Sequence, residues 1–115
     1  MPVSVFIYEA NDNLRESLCS LFALAEDYEI SGAFSNCQQS EDQVKTFLPD
    51  VVLMDIDMPG MNGIEAVKKI RRFNKKVQII MLTVFDDNTH VFDALSAGAN
   101  GYLLKKNISD KLITS

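Results

Sequence analysis

Five short apolar runs alternate with helix-like stretches along this chain, and this alternation restricts its fold more than any other feature. The runs are VSVFIY at 3–8, YEISGAF at 28–34, VVLMD at 51–55, VQIIMLT at 77–83 and GYLLK at 101–105. Strands that alternate with helices form a parallel sheet with helices on both faces. The third and fourth runs are apolar throughout, which is typical of strands buried on both sides. The sequence therefore predicts an α/β fold built from successive strand–helix units.

Apolar residues spaced three and four positions apart indicate the helices between these strands. Residues 14–25 have this spacing, and Asn11, Asp12 or Asn13 can cap the helix that they form. Further helices are predicted from 35 or 36 to 47, over 64–73, over 87–97 with Gly98 as its end, and from Ile108 onward. We expect one domain over residues 1–115, with the last helix truncated.

Composition and charge exclude several classes of function. The 115 residues suffice for a single domain, and the formal net charge is −5. Nucleic-acid binding needs clustered Lys and Arg, so this charge argues against nucleic-acid binding by the chain alone and against an anionic membrane partner. No run approaches the roughly 20 apolar residues of a membrane span, and the N-terminus lacks a basic signal-peptide region. We therefore expect a cytoplasmic protein in which Cys19 and Cys37 are reduced thiols.

Chemically active side chains stand where the predicted strands end. The carboxyl ends of parallel strands share one edge of the sheet, where ligands bind. These side chains are Glu9 after the first strand, Asp55 and Asp57 at the third, Thr83 at the fourth and Lys105 at the fifth. Each alone is more often a turn former, a helix cap or a solvated charge. Together they suit Mg²⁺ and a phosphoryl group, and an aspartate can itself become an acyl phosphate.

Three segments resemble the receiver domain of bacterial two-component response regulators. They are VVLMDIDMPGMNGIEAVKKIR at 51–71, MLTVFDD at 81–87 and AGANGYLLKK at 97–106. The last two are most similar to the LuxR/NarL-type branch, whose receivers precede a helix-turn-helix output domain. The resemblance covers essentially the whole chain. It implies a flavodoxin-like doubly wound (βα)5 sandwich whose five-stranded parallel sheet has the order 2-1-3-4-5.

The family pattern also implies roles for individual residues. A sensor histidine kinase would phosphorylate Asp55 in a Mg²⁺-dependent step, and Lys105 would pair with Asp55 or with the phosphoryl group. Thr83 would move to bond that group, and Tyr102 would change its rotamer as Thr83 moves. Asp57 would give its backbone carbonyl to Mg²⁺, while its side chain would face the attacking water during dephosphorylation.

Further expectations concern turnover and partners. Phe85 occupies a position that influences how water reaches the acyl phosphate in this family, so slow self-dephosphorylation is implied rather than turnover of an external substrate. The run DID at 55–57 also resembles the nucleophile motif of haloacid dehalogenase-type phosphatases, but Met58 departs from the Thr or Val that follows there. The resemblance implies a homodimer through the face of helix four, strand five and helix five. It also implies DNA binding only through an output domain outside this chain. His90 is expected to be exposed and not catalytic.

The family pattern fails at one position of the metal site. Receivers usually have two adjacent acidic residues after the first strand, and the second usually contacts Mg²⁺ directly. Here these positions hold Glu9 and Ala10, and a methyl group cannot coordinate a hard cation. Five explanations stay open: Glu9 reaches the metal, a water fills the gap, Asp12 helps, Mg²⁺ binds weakly, or Ala10 is an engineered replacement. A degenerate receiver that acts as a phosphorylation-independent interaction module is therefore the alternative function.

Overall fold

The structure is a computed structural model, and it describes residues 2–106. Its strands are β1 (Val3–Tyr8), β2 (Tyr28–Phe34), β3 (Val51–Asp55), β4 (Gln78–Thr83) and β5 (Gly101–Leu104). Its helices are α1 (Asp12–Ala23), α2 (Ser40–Phe47), α3 (Gly63–Phe73) and α4 (Asn88–Ala97). All strands are parallel, in the order β2-β1-β3-β4-β5. This order confirms the predicted flavodoxin-like doubly wound sheet.

The core consists of one apolar layer on each face of the sheet, because successive side chains of a strand point to opposite faces. In the smaller layer Val5, Ile7, Leu53 and Leu82 pack with Leu18 of α1. In the larger layer the alternate residues of the same strands pack against α2, α3 and α4. The central strands are covered on both sides, which explains their continuous apolar sequences.

The predicted start of α2 is wrong. The helix begins at Ser40 and not at residue 35 or 36, because a turn fills the intervening positions. In that turn the Asn36 side chain accepts a hydrogen bond from the Gln38 amide at 3.1 Å. The Ser40 amide donates to the carbonyl oxygen of Cys37 at 3.2 Å. Asn side chains commonly compete in this way with the helical hydrogen-bond pattern.

The first helix runs from Asp12 to Ala23, two residues earlier than the predicted span of 14–25. Four further boundaries shift by one residue. β4 starts at Gln78 and not at 77, because the Val77 amide donates to the Asn74 side chain at 3.0 Å. β5 ends at Leu104, so that Lys105 follows the strand and does not belong to it. The α3 and α4 helices start at 63 and 88, against predicted starts of 64 and 87.

The ends of α1 and α4 are capped by the residue types that helix capping favours. Asn11 caps α1, since its side chain accepts from the Leu14 amide at 2.9 Å, which resolves the choice among residues 11 to 13. Asp87 caps α4 in the same way. Gly98 ends α4 as predicted, with a φ of 119° that favours glycine.

Two cysteine predictions are confirmed, and one helix lies outside the described residues. Cys19 and Cys37 are both free thiols, and Cys37 is buried. The predicted helix from Ile108 and its truncation fall beyond residue 106. Among the helices of residues 2–106, none combines the length and apolar character needed to cross a membrane.

Candidate functional site

Glu9 and Asp55 lie at neighbouring places on the carboxyl edge of the sheet. Strands β1 and β3 are parallel neighbours, and Tyr8 stands opposite Met54, so the next residue of each strand reaches the same edge. Only 1% of Glu9 and 3% of Asp55 is exposed. Carboxylates that are buried this fully need a cation or hydrogen-bond donors to stay ionised.

Lys105 supplies that cation. Its Nζ donates a hydrogen bond to Oδ2 of Asp55 at 3.0 Å and lies 2.8 Å from Oε1 of Glu9. The second contact is an ion pair, and the Lys105 ammonium is the partner that balances the buried Oε1 of Glu9. One ammonium thus holds two carboxylates. The strand-end argument placed Lys105 and Asp55 at this edge, and the family resemblance implied that they pair.

Burial and neighbouring charges shift the pKa values in this cluster. Burial raises the pKa of Asp55 to about 6, against an ordinary value of 3.8, although the hydrogen bond from Lys105 acts in the opposite direction. The Glu9 carboxylate adds to the rise. Burial alone would lower the pKa of Lys105, but its contacts with Glu9 and Asp55 outweigh this and raise it. At neutral pH Asp55 is therefore mostly ionised and Lys105 is protonated.

Glu9 has two further partners that the sequence did not predict. The Asn11 amide donates to Oε2 of Glu9 at 3.0 Å, and the Arg15 guanidinium donates to the Glu9 carbonyl oxygen at 2.8 Å. Arg15 also pairs with Asp12 at 2.6 Å, and the Asp12 side chain is 78% exposed. Asp12 is therefore turned toward Arg15 and away from the buried carboxylates. The free amides at the start of a helix were the available sequence signal for the Asn11 contact.

The donor atoms suit a hard divalent cation, but they are few. Mg²⁺ prefers carboxylate oxygens, and Oε1 of Glu9 is a buried carboxylate oxygen that the Lys105 ammonium contacts at 2.8 Å. Ala10 offers only a methyl group next to it. Within residues 2–106, no group of three or more His, Cys, Asp or Glu side chains is placed to hold a metal ion. The side-chain donors are thus the carboxylates of Glu9 and Asp55.

Thr83 and Tyr102 are joined through the backbone of Phe85. The hydroxyl of Thr83, which is fully buried, accepts a hydrogen bond from the Phe85 amide at 3.1 Å. The Tyr102 hydroxyl donates to the Phe85 carbonyl oxygen at 2.7 Å. The His90 ring stacks on the Phe85 ring with centroids 4.1 Å apart, and 36% of the His90 side chain stays exposed. Nothing in the local sequence signalled this stack.

The loop after β3 holds Asp55 in place. The Asp57 side chain is exposed, and its amide makes a long contact of 3.4 Å with Oδ1 of Asp55. The Gly63 amide donates to the Ile56 carbonyl oxygen at 2.9 Å, which brings the start of α3 against the end of β3. A Cβ atom on Gly63 would collide with the carbonyl oxygen of Asp55. Glycine is therefore required for this close approach.

The sheet order and the acidic edge with its lysine define an α/β protein of the flavodoxin-like class. The chain belongs to the response regulator receiver domain family, whose family model matches residues 5–115. It is thus a receiver domain of the two-component response regulator type, as the three sequence segments predicted.

Relatives support the same branch of that family. Transcriptional regulatory protein DesR of Bacillus subtilis (strain 168) is 40% identical over 110 residues, which cover 96% of this chain and 54% of DesR. Transcriptional regulatory protein LnrK of the same organism is 38% identical over 111 residues, which cover 96% of this chain and 50% of LnrK. The chain therefore spans about half the length of these curated relatives.

A solved structure agrees with this assignment. The DNA-binding response regulator of the LuxR family from Staphylococcus aureus matches with a TM-score of 0.84 at 30% identity. The match covers 90% of this chain and 87% of that one. The predicted similarity to LuxR-type regulators is confirmed.

Proposed function

We propose that this domain accepts a phosphoryl group on Asp55 from the phosphohistidine of a sensor histidine kinase. The observation that carries the proposal is the buried Asp55 carboxylate, held by Lys105 at 3.0 Å at the ligand-binding edge of the sheet. A buried carboxylate paired with one flexible ammonium is oriented for attack. Unlike a purely structural ion pair, it also lies at the edge where α/β sheets bind ligands.

The proposed transfer needs an ionised nucleophile and stabilisation of phosphoryl charge. An Asp55 oxygen attacks phosphorus, the bond from phosphorus to the kinase histidine breaks, and an acyl phosphate forms on Asp55. With a pKa of about 6, Asp55 is mostly ionised at neutral pH and still more basic than an ordinary aspartate. Lys105 can follow the charge from the carboxylate to the phosphoryl oxygens, since its side chain already bridges two acceptors.

We further propose a Mg²⁺ site formed by Glu9, Asp55 and the backbone carbonyl of Asp57. Bound Mg²⁺ would neutralise charge on the phosphoryl oxygens. Glu9 is the candidate substitute for the carboxylate that Ala10 lacks, because its buried Oε1 atom lies at this edge beside Asp55 and is balanced by the Lys105 ammonium. To bind a metal, the Glu9 carboxylate must give up its ion pair with Lys105. We therefore expect weaker Mg²⁺ binding than a site with two adjacent acidic residues would have.

Phosphorylation is proposed to act through a shift between two conformations. Thr83 would turn to the phosphoryl group, Tyr102 would change its rotamer, and Phe85 and Asp57 would tune the slow dephosphorylation. The result would be a homodimer through α4, β5 and the fifth helix, which lies outside the described residues. The α4 helix has exposed apolar residues, and one of them, Phe92, is 70% exposed. These residues offer surface that a partner can cover.

The proposed output is transcription regulation in the cytoplasm. DNA binding would belong to a further domain, because this chain is acidic and spans about half of relatives that are transcriptional regulators. One observation favours a second candidate function. Ala10 removes a carboxylate at the metal position, which would make the chain a degenerate receiver that binds partners regardless of phosphorylation.

Intact mass spectrometry separates the two candidates. The domain is incubated with Mg²⁺ and a small-molecule phosphodonor, beside the variants Asp55→Asn, Ala10→Asp and Asp42→Asn. Asp42 is an exposed carboxylate of α2 and serves as the matched control. We expect the wild type and the Asp42 variant to gain one phosphoryl mass, and the Asp55 variant to gain none.

Other outcomes have definite meanings. Gain only after Ala10→Asp means a receiver whose metal site is disabled at one position, which supports the degenerate candidate. Gain in the Asp55 variant equal to that of the wild type refutes Asp55 as the acceptor. No gain in any protein, the Ala10 variant included, refutes the phosphoacceptor function.

A further inference from the structure

Phe85 is held at three points in the segment that joins β4 to α4. Its amide donates to the Thr83 hydroxyl at 3.1 Å, and its carbonyl oxygen accepts from the Tyr102 hydroxyl at 2.7 Å. Its ring stacks on the His90 ring, with centroids 4.1 Å apart and planes that differ by 4°. The two backbone contacts are with Thr83 and Tyr102, which are proposed to move on phosphorylation. The ring contact is with His90, which has no role in that proposal.

His90 is itself fixed in position. Its Nδ1 lies 2.7 and 2.8 Å from the two carboxylate oxygens of Asp87, and a carboxylate only accepts, so Nδ1 carries a proton. Asp87 is also the cap of α4 and accepts from the His90 amide at 3.0 Å. These contacts, the backbone hydrogen bond first, lower the pKa of Asp87 below its ordinary value. The imidazole is therefore held to the first turn of α4, and it ties the Phe85 ring to that turn.

We infer that His90 is a positioning residue that acts through Phe85 and retains the Thr83 hydroxyl on the Phe85 amide. This inference rests on the proposed function, in which Thr83 turns toward a phosphoryl group on Asp55. When it turns, the buried Thr83 hydroxyl gives up its hydrogen bond with the Phe85 amide. The amide then loses its acceptor, and a shift of the Phe85 backbone would let it follow the hydroxyl or reach another acceptor. A ring stacked on α4 opposes that movement.

The expected size of the effect follows from the stack. Aromatic pairs contribute enough to change a conformational equilibrium about three- to tenfold. A reaction that proceeds from the minor conformation has a rate proportional to the population of that conformation. Removing the stack therefore raises the rate at which Asp55 gains a phosphoryl group by about three- to tenfold. Loss of an ordinary structural contact would not raise this rate.

The test uses five variants of the domain with a small-molecule phosphodonor and Mg²⁺, the Thr83→Ala single variant and its His90→Ala double variant among them. His90→Ala removes the stack and should react about three- to tenfold faster than wild type. His90→Phe keeps a ring on Phe85 without the contact to Asp87 and should restore the wild-type rate. Thr89→Ala, an exposed change in the same turn, is the matched control. In a Thr83→Ala background, His90→Ala should have no effect, because no hydroxyl is left to retain.

A second measurement does not depend on phosphorylation. Hydrogen exchange of the Phe85 amide, followed by NMR, should be about three- to tenfold faster in His90→Ala and unchanged in His90→Phe. If exchange follows this pattern but no variant gains a phosphoryl mass, the proposed function fails while the hold of His90 on the Phe85 amide stands.

Three results overturn the inference. The first is unchanged amide exchange in His90→Ala. The second is a reaction rate in His90→Phe equal to that of His90→Ala, since the ring would then not be the means of control. The third is an effect of His90→Ala that persists without the Thr83 hydroxyl.

Discussion

Replacing Asp55 by Asn will stabilise the domain at neutral pH and leave its stability almost unchanged near pH 4. Burial raises the pKa of Asp55 to about 6 from an ordinary value of 3.8, so folding disfavours the ionised form. Between these two values the folded state binds more protons than the unfolded state. The free energy of unfolding of the wild type therefore falls as pH rises through this range. Asn has nearly the same shape and no charge at any pH.

The size of the effect follows from a pKa difference of about 2 units. Each unit corresponds to about 1.4 kcal/mol, so ionised Asp55 costs the folded wild type about 3 kcal/mol above pH 7. Lys105 keeps its contact with Glu9 at 2.8 Å after the substitution, so the ammonium is not left unpaired. We expect Asp55→Asn to raise the free energy of unfolding by about 2 to 3 kcal/mol at pH 7.5, with the gain disappearing as pH falls toward 4.

Urea unfolding between pH 4 and pH 8, with a chelator present, measures this difference. Asp42→Asn is the control, because its exposed carboxylate should leave the difference from wild type small at every pH. A stability gain for Asp55→Asn that is the same at all pH values would refute the reasoning. A loss of stability at pH 7.5 would mean that the ion pair with Lys105 outweighs the cost of burial.

Three further changes test the site. Ala10→Asp should strengthen Mg²⁺ binding about tenfold or more, measured by calorimetry, and should lower the metal-free unfolding free energy by about 1 kcal/mol through repulsion with Glu9 and Asp55; equal Mg²⁺ affinity would contradict this. Lys105→Met should destabilise the domain by about 2 to 4 kcal/mol at pH 7.5 in urea unfolding and by less near pH 5, because two buried carboxylates lose their cation; a loss independent of pH would argue against it. Gly63→Ala should cost about 2 kcal/mol or more, because its Cβ meets the Asp55 carbonyl oxygen, and a thermal midpoint equal to that of the wild type would show that α3 can shift freely.

Much of the fold was predictable because strand and helix patterns are local. The apolar runs at 51–55 and 77–83 match β3 and β4 to within one residue, since burial on both faces leaves a continuous apolar stretch. The start of α2 was not predictable from such a pattern. It depends on the turn around Cys37, where the Asn36 side chain and the Cys37 carbonyl oxygen take up amides that a helix would use.

The candidate site was predictable in part for a similar reason. Parallel strands bring their carboxyl ends to one edge, so Glu9, Asp55 and Lys105 meet although 96 positions separate the first from the last. The contact of Asn11 with Glu9 and the stack of His90 on Phe85 were not predicted. The free amides at the start of a helix were an available signal for the Asn11 contact. The stack depends on a loop conformation and on rotamers that no spacing rule specifies.

The sequence by itself determined the alternation of strands and helices, the acidic edge and the departure at Ala10, because residue type and periodicity can be read along the chain. The strand order was implied by the resemblance of its motifs to a family. Only the tertiary structure decided that one ammonium is shared by two buried carboxylates and that the pKa of Asp55 is raised to about 6. It alone placed a histidine ring against Phe85. These properties depend on distance and on exclusion of water, and both arise when separate segments pack together.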